Sequence, residues 1–303
     1  MTIDAELTPK VADPRIADVG SRAAPRKGRR LRAFLRNPTF IAGVAILGFF
    51  VLLALLAGVL FPGDPQDMVA QPLLWPGEDA EYPLGTDSLG RDVLAQLVYG
   101  TRASLLVGVF SAAIGLAIGM VVGATAGFFG GWTDTLLMRL VELFQTTPTF
   151  LLVIVILVIV DPSLPTIAMA IGVSSWPTVA RLVRAQFRSL RESDFVMAAR
   201  SLGYSRLRII VQEILPNALP PVIVAASVMI ANAILTEAGL SFLNMRDPNV
   251  LSWGGMIGDG RDQLRNAWFL TALPGAAIAM AVLSLNLVGD GLNEILNPRS
   301  DQS

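Results

Sequence analysis

Six stretches of the chain contain no charged residue: 37–63, 103–133, 143–160, 162–180, 214–236 and 266–289. A helix rising about 1.5 Å per residue needs roughly 20 apolar residues to cross the ~30 Å hydrocarbon core of a bilayer. Four of the stretches clearly exceed that length. The other two, 143–160 and 162–180, are marginal, separated only by Asp161 and bracketed by prolines. They read either as two spans or as one buried helical hairpin. Extending the third stretch back through Leu136 and Leu140 admits Arg139 and Glu142 near one end, where long side chains reach the interface, and two spans are therefore expected. No water in hydrocarbon satisfies an open backbone, so the expected fold is an all-α membrane protein with six transmembrane helices.

Composition agrees and removes most reaction chemistry. Only 16% of the 303 residues are charged and 53% are hydrophobic, whereas a typical soluble domain carries about 25% charge. There is no Cys, hence no disulfide framework, thiolate metal site or cysteine nucleophile. There is no His either, which removes the usual proton shuttle and metal ligand.

Lys and Arg are distributed unevenly, and that asymmetry sets orientation. Residues 1–36 carry Lys10, Arg15, Arg22, Arg26, Lys27, Arg29, Arg30, Arg32 and Arg36, and the loop between the fourth and fifth spans carries Arg181, Arg184, Arg188, Arg191, Arg200, Arg206 and Arg208. With Arg139 and Arg299, this puts 18 of the 23 basic residues on one side. The other side holds Arg91, Arg102, Arg246, Arg261 and Arg265 beside an acidic first loop (Asp64, Asp67, Glu78, Asp79, Glu81, Asp87, Asp92). Both termini are expected in the cytoplasm, as an even number of spans also requires. The first stretch is too long, and follows too long a tail, for a cleaved signal peptide; it reads as an uncleaved anchor. The expected organisation is a basic, disordered tail over 1–36, whose residues 26–36 rest on anionic headgroups, a membrane domain over 37–299 with a cytoplasmic loop at about 181–215, and a short ending over 300–303.

Gly115, Gly119, Gly123 and Gly127 recur every fourth residue in the second span. That spacing lays a smooth strip along one face and lets another helix backbone approach closely. Pro148, Pro177, Pro220 and Pro221 interrupt helical patterns, as membrane helices tolerate when neighbours satisfy the freed carbonyls. Asn232 and Asn286 lie within spans, and Glu237 directly follows the fifth, near its water-accessible outer end. These three are candidates either for lining or gating a path or for structural hydrogen bonds.

The basic loop holds the most informative segment. Asp194 favours a helix start and Gly203 a helix end, which places Phe195, Ala198, Ala199 and Leu202 on one face of a short helix outside the lipid. An exposed apolar face of this kind awaits a protein partner. The pattern Ala198-Ala199-x-x-x-Gly203, followed by Leu215-Pro216, resembles the "EAA" coupling loop of ABC-importer membrane subunits, except that Met197 stands where that loop has its Glu.

Three further segments resemble the same family in the same order. The run Pro83-Leu84-Gly85-Thr86-Asp87-Ser88-Leu89-Gly90-Arg91-Asp92 is similar to the first outer loop of dipeptide, oligopeptide and nickel permeases. Glu237-Ala238-Gly239-Leu240-Ser241-Phe242-Leu243, with Ser252-Trp253-Gly254, is similar to their fifth-helix exit. Asn286-Leu287-Val288-Gly289-Asp290-Gly291-Leu292, then Asn297-Pro298-Arg299, is similar to their C-terminus. The likeness runs from about residue 37 to 299 and is to the second, or "C", type of membrane subunit.

The resemblance implies the type I importer permease fold and one half of a translocation path for peptides or similar small solutes in a bacterial inner membrane. It implies a homologous second permease subunit, two ATPase subunits or domains, and an extracytoplasmic substrate-binding protein, with no nucleic acid. In the family the short loop helix sits in a groove of the ATPase, which assigns coupling to Asp194, Phe195, Met197, Ala198, Ala199, Arg200, Leu202 and Gly203. The chain itself has no Gly-x-x-x-x-Gly-Lys-Ser/Thr loop, so ATP and Mg are expected on partner chains and no cofactor on this one. An ion-coupled secondary transporter is the alternative; it would show charged residues near midplane and inverted repeats. An intramembrane enzyme would need a nucleophile–base pair or metal ligands inside the spans.

Overall fold

The computed structural model describes Phe34 and residues 36–296. Nearly all of the basic tail over 1–36, and the ending 297–303 with Asn297, Pro298 and Arg299, lie outside the described residues. Among the described residues nine α-helices follow one another: α1 Pro38–Leu60, α2 Val93–Phe129, α3 Gly131–Thr146, α4 Thr149–Ile159, α5 Leu164–Arg191, α6 Asp194–Ser201, α7 Arg206–Phe242, α8 Trp253–Gly260 and α9 Phe269–Leu296. Among the described residues the only β pairing is an isolated bridge between Thr86 and Asp92.

Local signals explain where these helices start. The side chain of Asn37 accepts the Phe40 N–H at 3.0 Å, and Asp92 accepts that of Leu94 at 2.8 Å. Ser163 and Thr166 cap one another reciprocally at the head of α5. Each device satisfies backbone donors that a first helical turn leaves unpaired.

Helices α1, α2, α5, α7 and α9 are each long and apolar enough to cross a bilayer. The expected third span is corrected: α3 and α4 meet at an 82° bend, and they make a sixth span only as a bent pair. Pro148 is the cause. It has no N–H to donate, and its ring holds Thr147 in an extended conformation (φ −97°, ψ 132°), which ends α3. By contrast, Pro177, Pro220 and Pro221 lie inside continuous helices. Helix α2 also starts well before its uncharged stretch, and α5 runs on through Arg181, Arg184 and Arg188 to Arg191.

The bundle centres on α2 packed against α5. The four-residue glycine strip faces α5: a Cβ on Gly115 would sit 2.6 Å from Ser175 Oγ, and one on Gly127 would sit 2.7 Å from Phe187 Cβ. A Cβ on Gly119 or Gly123 would strike Val179 or the Ala180 carbonyl. Gly172 answers from the other side, close to Ile114 and the Ser111 carbonyl. Small residues let the two backbones meet, and in lipid that close contact is the main source of helix association.

After Arg206–Arg208, helix α7 passes through a wide π segment over Ile209–Ile214, in which Leu215 donates back to Ile210. Pro216 follows at once. It cannot donate an N–H, and the wide turn absorbs the missing bond. Three contacts fix the relative directions of the helices. Tyr99 Oη donates to the Phe61 carbonyl, Arg191 Nη1 to the Phe128 carbonyl, and Asn37 Nδ2 to Glu294 at 2.7 Å. The start of α1 and the end of α9 therefore lie at the same end of the bundle as the arginine-rich turn from α5 to α7.

Candidate functional site

At the arginine-rich end, α6 rests on the bundle through two side chains. Val196 is fully buried and Ala199 nearly so, in a cluster with Phe187, Ile209 and Ile214. This corrects the expected partner face, because Ala199 points inward. The outward side presents Asp194, Met197, Ala198, Arg200 and Ser201, with Phe195 at its edge and Leu202, 73% exposed, just beyond the helix. Two buried positions three apart tilt the helix so that only one side meets the bundle, and the larger apolar side chains stay uncovered.

The end of α6 is a complete Schellman turn. Gly203 has φ +77° and donates to the Arg200 carbonyl, while Tyr204 donates to that of Ala199. Its Cβ would meet nothing within 4 Å, so backbone conformation alone asks for glycine there. Ser193, not Asp194, holds the N-cap position, and its hydroxyl donates to Leu190 instead. Asp194 in the first turn complements the helix dipole. Nearby, Arg184 grips both carboxylate oxygens of Asp134 at 2.5 and 2.6 Å, tying α3 to α5. A cleft of about 640 Å³ beside α6 is walled by Arg191, Arg200, Arg206, Tyr204, Met197 and Phe129, among others.

At the opposite end Glu237 is only 3% exposed, which corrects the expectation of a water-accessible acid. Helix α8 folds back over it. Oε1 accepts from Ser241 Oγ at 2.8 Å and from Ser252 Oγ at 2.7 Å. Oε2 has no hydrogen-bond partner among the described residues and lies over Gly254, where a Cβ would sit 2.9 Å away. Ser252 also caps α8 through the Gly255 N–H, and Trp253, wholly buried, donates from Nε1 to the Leu97 carbonyl.

The loop before α2 joins the same end. Both oxygens of buried Asp87 are used: Oδ1 by the N–H groups of Leu89 and Arg91, Oδ2 by Arg91 Nε and Gln96 Nε2. Arg91 then reaches Asp259, which pairs with Arg246 at 2.5 Å. Burial outweighs two backbone hydrogen bonds and holds the Asp92 carboxyl above the usual carboxylate range. In the sequence Asp87, Arg91 and Asp92 read as members of a motif and as charges of the outer side; the Arg91–Asp259 link joins segments far apart along the chain.

Between the two ends lies a cavity of about 450 Å³ walled by α2, α5, α7 and the head of α4. Asn232 lines it, together with Ser111, Thr149, Ser175, Thr178 and Thr236. Sequence reading found Asn232 alone; the signal for Ser175, Thr178 and Thr236 was hydroxyl side chains at helical spacing on α5 and α7, whereas Ser111 and Thr149 come from α2 and α4. Asn286 is exposed on α9 and does not line this cavity, so the three candidate path residues stand in three different places. Among the described residues no three His, Cys, Asp or Glu side chains gather as a metal-holding group.

Comparison with known proteins gives a consistent result. Residues 115–302 match the family described as binding-protein-dependent transport system inner membrane component, and residues 28–76 match the N-terminal transmembrane domain of oligopeptide transport permease C. A dipeptide transport system permease protein of Alkalihalophilus pseudofirmus is 36% identical over 97% of this chain and 96% of its own length. A di/tripeptide transport system permease protein of Pseudomonas aeruginosa is 37% identical over 88% of this chain and 90% of its own. A glutathione transport system permease protein of Pectobacterium atrosepticum is 34% identical over 88% and 89%. In fold, the chain resembles a subunit of the MetNI methionine ABC transporter in an inward-facing conformation. The TM-score is 0.54 at 20% identity, over 66% of this chain and 96% of that one.

Proposed function

The chain belongs to the family of binding-protein-dependent transport system inner membrane components, and from that membership we propose that it forms half of a peptide path powered by ATPase subunits docked on α6. It is a multi-pass inner-membrane permease of the ABC importer class. The observation that carries the docking is the outward side of α6, where Phe195, Met197 and Leu202 remain exposed beyond the end of a long span. Exposed apolar side chains held on a short, capped helix are what a partner's groove would cover.

In this reading the arginine-rich end is cytoplasmic, as the Lys and Arg distribution requires, and ATP and Mg bind to the partner. The bent pair α3–α4 and the cavity face a homologous second permease, and the Glu237 end receives solute from a binding protein. ATP-driven changes in the partner move α6, and through the π turn they move α7, between two bundle states. Peptides are the proposed cargo because several relatives carry peptide transport in their names.

The test is reconstitution of the complex into liposomes. Uptake of a dipeptide that needs both ATP and the binding protein is the expected result. Uptake driven by an ion gradient without ATP would instead favour a secondary transporter. Sidedness can be read separately, because the chain has no native Cys. A cysteine replacing Glu78 should react with an impermeant thiol reagent on intact cells, and one replacing Arg188 should not.

A further inference from the structure

We propose that Thr149, Ser175, Thr178, Asn232 and Thr236 form the surface that a peptide-like solute touches midway across the membrane, and that they hold it through hydroxyl and amide groups alone, so that passage there is indifferent to solute charge. This rests on the importer reading and deepens it.

The surface is built by helical spacing. On α5 the lining positions include Ile171, Ser175, Thr178 and Leu182, and on α7 they include Ala225, Val228, Asn232 and Thr236. Each set advances by three or four residues, so each is one face of one helix. Thr178 lies about 20 Å from the Leu164 end of α5, and Asn232 about 15 Å from the Phe242 end of α7, at 1.5 Å per residue, which sets both inside a hydrocarbon core of about 30 Å. The volume, about 450 Å³, lies within the range of small-molecule sites.

The chemistry of the surface is selective by omission. Among the described residues no charged side chain lines the cavity. Arg181 stands one turn below Thr178, and Glu237, next to Thr236, is turned away into its bonds with Ser241 and Ser252. Thr178 and Asn232 are exposed, and neither side chain has a hydrogen-bond partner among the described residues. Other hydroxyls donate to carbonyls, in the cavity Ser111 to Ala168, Ser175 to Gly172 and Thr236 to Asn232, which leaves these oxygens as acceptors, and elsewhere Ser174 to Ala170, Ser227 to Val224 and Ser284 to Ala281. Free amide and hydroxyl groups at this depth cannot face lipid without a penalty, so the surface must meet water, solute or a polar partner. A solute rich in peptide groups supplies matching donors and acceptors, and an uncharged wall offers neither a counter-ion nor a repelling charge.

The experiment uses the whole complex in liposomes and measures ATP-driven uptake of alanylalanine, alanyllysine and alanylaspartate. Each variant rate is divided by the wild-type rate for the same peptide, which cancels the preference of the binding protein. Asn232→Asp and Thr178→Asp should each lower the alanylaspartate ratio about tenfold relative to the alanyllysine ratio, through like-charge repulsion at close range. Asn232→Lys should reverse that order, and Asn232→Leu should lower all three alike. If one variant does not fold, the other two charged ones carry the test. Charged variants that transport and change all three ratios equally, or none, overturn the proposal while leaving the importer reading intact. A wild-type complex that takes up none of the peptides overturns the importer reading, and this proposal with it.

Discussion

The two ends of α7 are secured by opposite means. At the Phe242 end, Glu237 is sealed beneath α8 and accepts from two hydroxyls, and beside it Asp87, Arg91, Asp259 and Arg246 form a continuous charged chain. At the Arg206 end, α6 leans on the bundle through Val196 and Ala199 and is followed by a glycine turn and then by the π turn. One end is closed by its own side chains; the other leaves apolar surface for something else to complete. On the proposed reading, the first end is completed within the chain and the second by a partner. The contrast also predicts unequal responses to substitution.

The largest effect is expected at the closed end. Glu237→Ala strands the hydroxyls of Ser241 and Ser252, both buried, and should destabilise the protein by about 3 kcal/mol. Unfolding in detergent measures it; a change near zero would mean that this end is held by packing alone. A smaller loss, roughly 2 kcal/mol, is expected for Ala199→Asp, which sets an unpaired carboxylate against Phe187, Ile209 and Ile214. It should release α6 and leave the bundle folded, because local opening relieves the strain. Faster proteolysis at Arg200 and Arg206, with spans still protected, would show this. Loss of the whole bundle would remove the contrast between the ends. The smallest effect belongs to Gly203→Ala, about 1 kcal/mol from its left-handed backbone, since the added methyl has open space. It should reduce ATPase recovery modestly and shift bundle melting little.

How much of this was readable beforehand depends on the range of the interaction. The spans and the glycine strip follow from periodicity within one segment, and the likeness of residues 194–203 to a coupling loop needed only local motif. The direction of Ala199 did not, because Phe187 and Ile214, which bury it, come from neighbouring helices. Glu237 reads as an exposed acid until α8 returns over it, and the covering Ser252 lies fifteen residues on in the chain. Pro148 was visible as a break, but its 82° angle depends on how α4 settles against α5. Polar groups on the cavity were hidden for the same reason: Thr178 and Asn232 share a surface only after two helices pack.

Whether an ATPase completes the open end of the chain can be read from recovery of that subunit with tagged variants. Ala198→Asp and Leu202→Asp change only exposed positions. Each should cut the recovered ATPase about tenfold, as expected when an unpaired charge enters a covered contact, while melting of the chain alone stays at the wild-type value. Met197→Glu, at a half-exposed position that already holds a long side chain, should retain the ATPase. Full recovery of the ATPase with both aspartate variants would move the docking surface away from α6.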